Sequence, residues 1–257
     1  MMRLGITSRL WLVLLLMAAL PLIALQQALD EYFSQSMRRA IIGHLQATTS
    51  IKMSQIDSQM EHLQKSASVL AQLAETRSLL KELEARGKGR LLRQRMQQFV
   101  DMTESVAASP EGFYDFLLVA PSGDVVLTLK REQELGTNLY TGPYSQTLLG
   151  KAVRESQLFM REVFSGIELY LPSQKLAAFF VIPVMEGKRQ LGSLAVQLTQ
   201  DTLHKLTSDY SGLGETGEVV IAQLAGSDAV IVAPLRTSKE RLPLKVEKGS
   251  GVALFDA

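Results

Sequence analysis

The side chains that could do chemistry are few and scattered. The chain has three histidines and no cysteine in 257 residues. His44 and His62 lie on one long proline-free stretch and His204 on a later, shorter one. None falls in a metal-ligand spacing, so each reads as a packing or surface residue. No His-Glu-x-x-His, Gly-x-Ser-x-Gly or phosphate-loop sequence occurs. The glycines of Ser211–Glu218 lack the Gly-Lys-Ser/Thr ending that would hold a phosphate, so this stretch reads as a turn-rich linker. Asp115 and Asp124 flank a strand–turn–strand pattern and read as turn caps. No catalytic group, metal site or cofactor is expected. What remains is hydrogen-bonding chemistry. Glu168 and Tyr170 alternate with Ile167, Leu169 and Leu171, so they share one face of a strand, either a solvent face or the wall of a ligand pocket. Arg161 and Glu162 are adjacent and point to opposite faces, so at most one of them serves such a wall.

These residues sit in Phe113–Leu198, which reads as a mostly antiparallel sheet with one helical insertion. Phe116–Val119 and Val125–Leu129 flank the turn Pro121-Ser122-Gly123-Asp124, a hairpin signal. Further apolar runs follow at Leu158–Val163, Ile167–Leu171, Leu176–Val184 and Leu191–Leu198. Ser165-Gly166, Pro172-Ser173 and Glu186-Gly187-Lys188 punctuate them as turns. Strands joined by turns alone favour antiparallel pairing. Between the second and third runs, Gly136–Ser156 carries Leu148, Leu149 and Val153 at helical spacing. Two strands, a helix, then strands with short turns is the order of a PAS-like lobe.

The flanking segments read as supports. Arg3 and Arg9 precede Leu10–Leu25, which is free of charge; with Gln26–Leu29 it is long enough to span a bilayer as a helix. A cleaved signal peptide is the alternative, but no clean cleavage site is followed by a polar mature start. Asp30 and Glu31 follow the span, so the positive-inside rule leaves the N-terminus in the cytoplasm and the bulk of the chain outside. From Asp30 to Leu83 there is no proline. Met53, Ile56, Met60, Leu63, Ala67, Leu70 and Ala74 step by threes and fours, an apolar seam that can pack on the sheet, meet a second copy, or do both. Gly87 and Gly89 break the pattern, Leu91–Val106 resumes it, and Ser109–Gly112 turns into the sheet. After the lobe, Asp201–Tyr210 reads as a helix. Val219–Ala222 and Ala229–Val232 then read as the first hairpin of a second lobe, with no third strand evident before Ala257. The expected organisation is 1–29 cytoplasmic tip and anchor, 30–110 stalk helices, 111–210 first lobe and 211–257 the start of a second lobe, an α+β fold. A net charge of +1 gives no basic field for nucleic acid.

Several words in order resemble the double Cache (dCache) family of bacterial extracytoplasmic sensors. They are Gly136-Thr137-Asn138-Leu139 with Thr141-Gly142-Pro143-Tyr144, Tyr170-Leu171-Pro172-Ser173, Ala178-Phe179 through Ile182-Pro183, Leu191-Gly192 through Val196-Gln197-Leu198, and Gly212 through Glu218. The resemblance implies an anchor, a stalk helix, a membrane-distal lobe, a membrane-proximal lobe and a second span. It further implies a cytoplasmic output such as a histidine kinase, a chemotaxis transducer or a nucleotide cyclase. It makes the chain the ligand-sensing region of a transmembrane receptor in the bacterial inner membrane. A small molecule would bind the distal lobe and signal through helix movement, with a homodimer formed along the stalk. The alternative is a PAS-like module that docks a periplasmic protein and has no small-molecule pocket. The family places an acidic residue where this chain has Gly166, and its amino-acid-binding members carry Asp where this chain has Gln197. By resemblance Tyr144 closes the pocket. The implied ligand residues are therefore Tyr144, Glu168, Tyr170 and Gln197. An amide at Gln197 both donates and accepts, so the ligand is expected to be neutral or anionic rather than an ammonium.

Overall fold

The computed structural model describes residues 6–85, 90–107, 113–225, 228–232, 235–236 and 242–246. Arg3, the Gly87–Gly89 break and the Ser109–Gly112 turn lie outside them. The chain divides into two compact units, Met1–Gln55 and Ile56–Ala257.

The first unit is helical throughout its described part. Helix α1 (Ile6–Gln72) starts here and leaves Tyr32, Phe33, Met37, Ile41 and Leu45 exposed. Among the described residues no helix is long and apolar enough to cross a membrane. The backbone of Leu10–Leu25 is α-helical, and most side chains of that stretch lie outside the described set.

The second unit holds the remaining helices, α2 (Ala74–Glu84), α3 (Arg90–Ala107), α4 (Leu148–Phe159) and α5 (Gln200–Ser208). Its first five strands are β1 (Phe113–Val119), β2 (Val125–Thr128), β3 (Val163–Tyr170), β4 (Lys175–Glu186) and β5 (Arg189–Leu198). They form one antiparallel sheet in the order β2-β1-β5-β4-β3. Alternation splits the side chains between two cores. One face carries Phe116, Leu118, Phe180, Ile182, Leu194 and Val196, packed with Leu63, Ala67 and Leu70 of α1, Leu79 and Leu80 of α2, and Phe99 of α3. Full burial of each such side chain contributes roughly 1.5–3 kcal/mol, so the helices and the sheet stabilise one another. The other face carries Leu117, Val119, Phe179, Val181 and Ala195, packed with Leu139, Tyr144 and the Leu149 and Val153 side of α4.

Four expectations are corrected. The long helix does not run unbroken to Leu83: Leu73 is extended (φ −61°, ψ 147°), and the Thr76 hydroxyl donates to the Leu70 carbonyl at 2.8 Å, replacing a lost helical partner. No glycine or proline marks this break. It turns α2 so that Leu79 and Leu80 enter the core while Lys81 and Glu84 pair with Glu186 and Arg189 of the β4–β5 hairpin. Leu158 and Phe159 are the end of α4, not the start of a strand, and Met160 closes that helix in the left-handed conformation (φ 49°). Ser165-Gly166 is a bulge inside one strand rather than a turn between two. Finally, among the described residues the small second sheet has three strands, β6 (Ala222–Ala225), β7 (Asp228–Ile231) and β8 (Leu244–Val246), in that order. Its first strand starts at Ala222, beyond Val219 and Val220.

Gly192 shows why one word of the sequence needs its glycine. Its φ is +151°, and a Cβ there would lie 2.4 Å from the Val119 carbonyl oxygen. The Ser211–Glu218 stretch is made of turns, with no helix or strand. The Arg236 guanidinium donates to the Gly214 and Gly217 carbonyls at 3.0 and 3.1 Å, so its oxygens face a cation rather than a phosphate.

Candidate functional site

The second face of the sheet gathers polar groups within an apolar setting. Asp115 of β1 lies opposite Gln197 of β5, and Gln197 lies opposite Phe179 of β4. The three residues stand side by side on the face that meets α4 and the 130–147 loop. Tyr170, from the edge strand β3, is fully buried here, edge-on to Phe179 at 5.0 Å between ring centres. Tyr144 comes from the loop. Its ring lies 6.3 Å from that of Tyr170, and its hydroxyl donates to Gln133 at 3.3 Å. Three of the four ligand residues implied by the resemblance, Tyr144, Tyr170 and Gln197, are thus buried on one face.

Glu168 does different work. Its carboxylate accepts from the Leu149 backbone N–H at 3.2 Å, so it supplements the cap of α4, whose Thr147 hydroxyl accepts from Gly150 at 3.0 Å. A carboxylate against the positive end of a helix is favourable. Burial raises the Glu168 pKa, and the N–H groups of Leu148 and Leu149 oppose that rise. Arg161 and Glu162 both lie away from this face. Arg161 pairs with Glu155, and Glu162 accepts from Gln64 and Ser68 of α1, each at 2.6 Å.

The groups that the sequence reading missed are carboxylates. Asp115 is no turn cap but sits inside β1 with no exposed surface. Its Oδ1 accepts backbone N–H bonds from Phe116 (2.7 Å), Leu129 (2.8 Å) and Lys130 (3.0 Å), fastening the end of β2. Its Oδ2 is buried without a hydrogen-bond partner. Glu134 is 1% exposed, and both its carboxylate oxygens are likewise unpartnered. Glu132 accepts from the Tyr114 hydroxyl at 2.9 Å through one oxygen, while its other is buried and unpartnered. The Tyr170 hydroxyl and Gln197 Oε1 complete the set of unpartnered atoms here. Burial pushes Asp115 up to about 6 despite its three N–H donors. It pushes Glu134 up to about 7, against the opposing pull of that residue's own backbone N–H, with the charges of Asp115 and Glu132 adding to the rise. Burial first, then the charges of Glu134, Glu168 and Glu132, keeps the Tyr170 hydroxyl protonated. The expectation of a neutral or anionic ligand rested on Gln197 alone; its neighbours on this face include the carboxyl groups of Asp115, Glu132 and Glu134.

A charged residue inside the apolar run Phe113–Val119 was the available signal for Asp115. Glu132 and Glu134 carried none, because their loop has no periodicity. Asp124 does behave as a turn residue, accepting from Ser122 and Asn138 at 2.7 and 2.8 Å. Among the described residues no group of three His, Cys, Asp or Glu could hold a metal ion. A hollow of about 240 Å³ borders the site at Gln197, between Tyr114, Lys175 and Thr199.

No family model and no curated protein matches the chain. Solved structures do. The sensor domain of the V. cholerae histidine kinase DctB is 12% identical, with a TM-score of 0.47 over 80% of this chain and 90% of that one. The extracellular domain of the putative histidine kinase vpHK1S-Z8 is 14% identical, with a TM-score of 0.44 over 61% of this chain and 58% of that one. The ligand-binding domain of Mlp24, solved with asparagine, is 12% identical, with a TM-score of 0.30 over 70% of this chain and 88% of that one. These three are a sensor domain, an extracellular domain and a ligand-binding domain.

Proposed function

We propose that this chain is the extracytoplasmic ligand-sensing region of a bacterial transmembrane receptor and is not itself an enzyme. A small molecule binds the second face of the five-stranded sheet, and α1 to α3 on the opposite face carry the signal. The observation that carries this reading is the set of buried, unpartnered polar atoms on Asp115, Glu134, Tyr170 and Gln197. Buried polar groups are ordinarily hydrogen-bonded, so a face built this way is suited to a partner from outside the chain. The same sheet packs α1, α2 and α3 on its other side. A ligand that shifts β1 or β5 therefore acts on the helices through side chains of alternating direction on the same strands.

In this reading Leu10–Leu25 anchors the chain in the inner membrane, with the bulk of the chain outside the cytoplasm. The exposed apolar residues of α1 between Tyr32 and Leu45 meet a second copy.

A thermal-unfolding screen of the full chain in detergent tests the reading. A ligand that binds only the folded state adds roughly 2.7 kcal/mol at a hundredfold excess over its dissociation constant, which is readily measured. A hit whose effect is lost in Tyr170→Ala and Gln197→Ala supports it. A broad screen of organic acids, neutral metabolites, amines and amino acids without any hit rejects it.

One observation favours a second reading. Leu158, Phe159 and Met160 at the end of α4, with Leu169 on the edge strand β3 and Leu171 in the turn that follows it, are exposed. Exposed apolar groups beside a sheet edge suit a docked protein. A module of that kind would tolerate Tyr170→Ala and lose its partner with Leu171→Asp.

A further inference from the structure

The acidic face has an imbalance of donors and acceptors. Asp115 Oδ2, Glu132 Oε2, both oxygens of Glu134 and Gln197 Oε1 are five buried acceptor atoms without a partner. The one unpartnered donor beside them is the Tyr170 hydroxyl, itself also an acceptor. Protein cations do not restore the balance. Lys130 and Lys175 stand over the Tyr114 ring at 5.5 and 5.1 Å from its centre. Neither forms an ion pair with these carboxylates among the described residues.

A buried carboxylate without a partner is costly, and a cation with several N–H donors is the complement that removes the cost. An ammonium offers three donors and no acceptor; a guanidinium offers five. An anion would add charge of the same sign, and a neutral hydroxyl would satisfy one acceptor at most. Among the described residues no three carboxylates stand together as metal ligands, and the tyrosine rings beside them suit an extended organic cation. The rings of Tyr144 and Tyr170 supply the aromatic wall that attracts such a group.

Building on the ligand-sensing reading, we propose that the face formed by Asp115, Glu132, Glu134, Tyr170 and Gln197 binds an organic cation, an amine or guanidine that carries no carboxylate of its own. Binding holds these carboxylates ionised, so it competes with protons. The titratable groups facing the site are Asp115 and Tyr114 from β1, Glu132 and Glu134 from the loop after β2, Tyr144, and Glu168 and Tyr170 from β3. The charges of Lys130 and Lys175 lie at its edge.

The test uses the full chain in detergent, with melting temperature as readout. The probes are 1,4-diaminobutane, phenethylamine and guanidinoethane, set against butyrate, butanol and glycine, at pH 8 and pH 5. At least one of the three cations should raise the melting temperature by several degrees at pH 8 and by much less at pH 5. Glu134→Gln should abolish that rise yet melt no lower than wild type without ligand, because it removes an unpaired buried charge. A residue of purely structural importance would instead lower the melting temperature. Glu132→Gln, on a half-exposed residue, gives a second variant that should weaken the effect. If butyrate or butanol stabilises and the cations do not, the cation assignment is overturned and ligand sensing stands. If the cations stabilise both variants as they do wild type, the site is elsewhere and the assignment is overturned. If none of the three cations stabilises, the assignment is overturned, and the broad screen above decides the sensing reading separately.

Discussion

Asp115 uses its two carboxylate oxygens differently. Oδ1 holds three backbone N–H groups and Oδ2 holds none. Asp115→Ala leaves the Leu129 and Lys130 donors without their acceptor and is expected to cost about 2–4 kcal/mol. Asp115→Asn keeps the acceptor and removes the charge, so it is expected within about 1 kcal/mol of wild type. Chemical denaturation of the two variants separates these roles. The same residue group sets a pH dependence. Glu134 is raised from 4.5 to about 7, and Asp115 from 3.8 to about 6. A carboxyl whose pKa is higher in the folded state stabilises it when protonated. That contribution is complete below the unfolded value and is lost as pH rises through the folded one. Between pH 4.5 and pH 7 the ligand-free protein should therefore lose stability from Glu134. The difference between wild type and Glu134→Gln isolates this from Asp124, whose lowered pKa acts in the opposite direction at lower pH. A melting curve series in which the two proteins run parallel across that window would sink the assignment.

Among the elements, β3 is where the two sheets meet. Its bulge exposes the Ile167 N–H and carbonyl, and Gln223 of β6 binds both, accepting at 3.1 Å and donating at 2.7 Å. Gly166 (φ +83°) leaves room for this: a Cβ there would lie 3.0 Å from Gln223 Oε1. The described part of the small sheet has three short strands, and such a sheet is marginal without packing support. Gln223→Ala should speed amide exchange across Ala222–Ala225 and Asp228–Ile231 by about tenfold or more, with little change in β1, β4 and β5. Uniform acceleration would show that the two sheets unfold as one body. Helix α1 divides its apolar seam in a related way. Leu63, Ala67 and Leu70 are buried against the sheet, whereas Met37, Ile41 and Leu45 are exposed. Single cysteines at Met37, Ile41 and Leu45 should cross-link between copies in membranes, and cysteines at Leu63 and Leu70 should not. The reverse pattern would place the contact between copies elsewhere.

For the whole molecule, the proposed arrangement puts everything after Asp30 on the far side of the membrane from Arg3 and Arg9. A reporter active only in the cytoplasm, fused after Ala257, should be silent, and one active only outside should be bright. A bright cytoplasmic signal would remove the extracytoplasmic reading and leave a sheet domain whose acidic face serves an intracellular role. In the proposed reading the sheet binds a ligand on the face that meets α4 and packs α1 to α3 on the other. The alternation of Asp115 with Phe116, and of Val196 with Gln197, is what connects them.

The elements whose existence depends on local pattern were legible in the chain. The strand hairpin around Pro121–Asp124, the helical spacing of Leu148, Leu149 and Val153, and the antiparallel pairing imposed by short turns all follow from periodicity and turn chemistry. Even the face shared by Glu168 and Tyr170 follows from a period of two. What periodicity cannot reach is anything set by a partner distant in sequence. The break at Leu73 carries no glycine or proline, because its cause is the seating of Leu79 and Leu80 on the sheet. Glu168 reads the same whether it faces a ligand or the start of α4, and the packing of α4 on β3 decides for the helix. Asp115, Glu132, Glu134 and Gln197 come from two strands and a loop, and no spacing between them signals their meeting. Their charge state depends on burial, which arises only when the loop and α4 close over the sheet. For that reason Gln197 alone pointed to a neutral or anionic ligand, whereas the proposal of a cation rests on carboxyl groups that only the assembled face brings beside it.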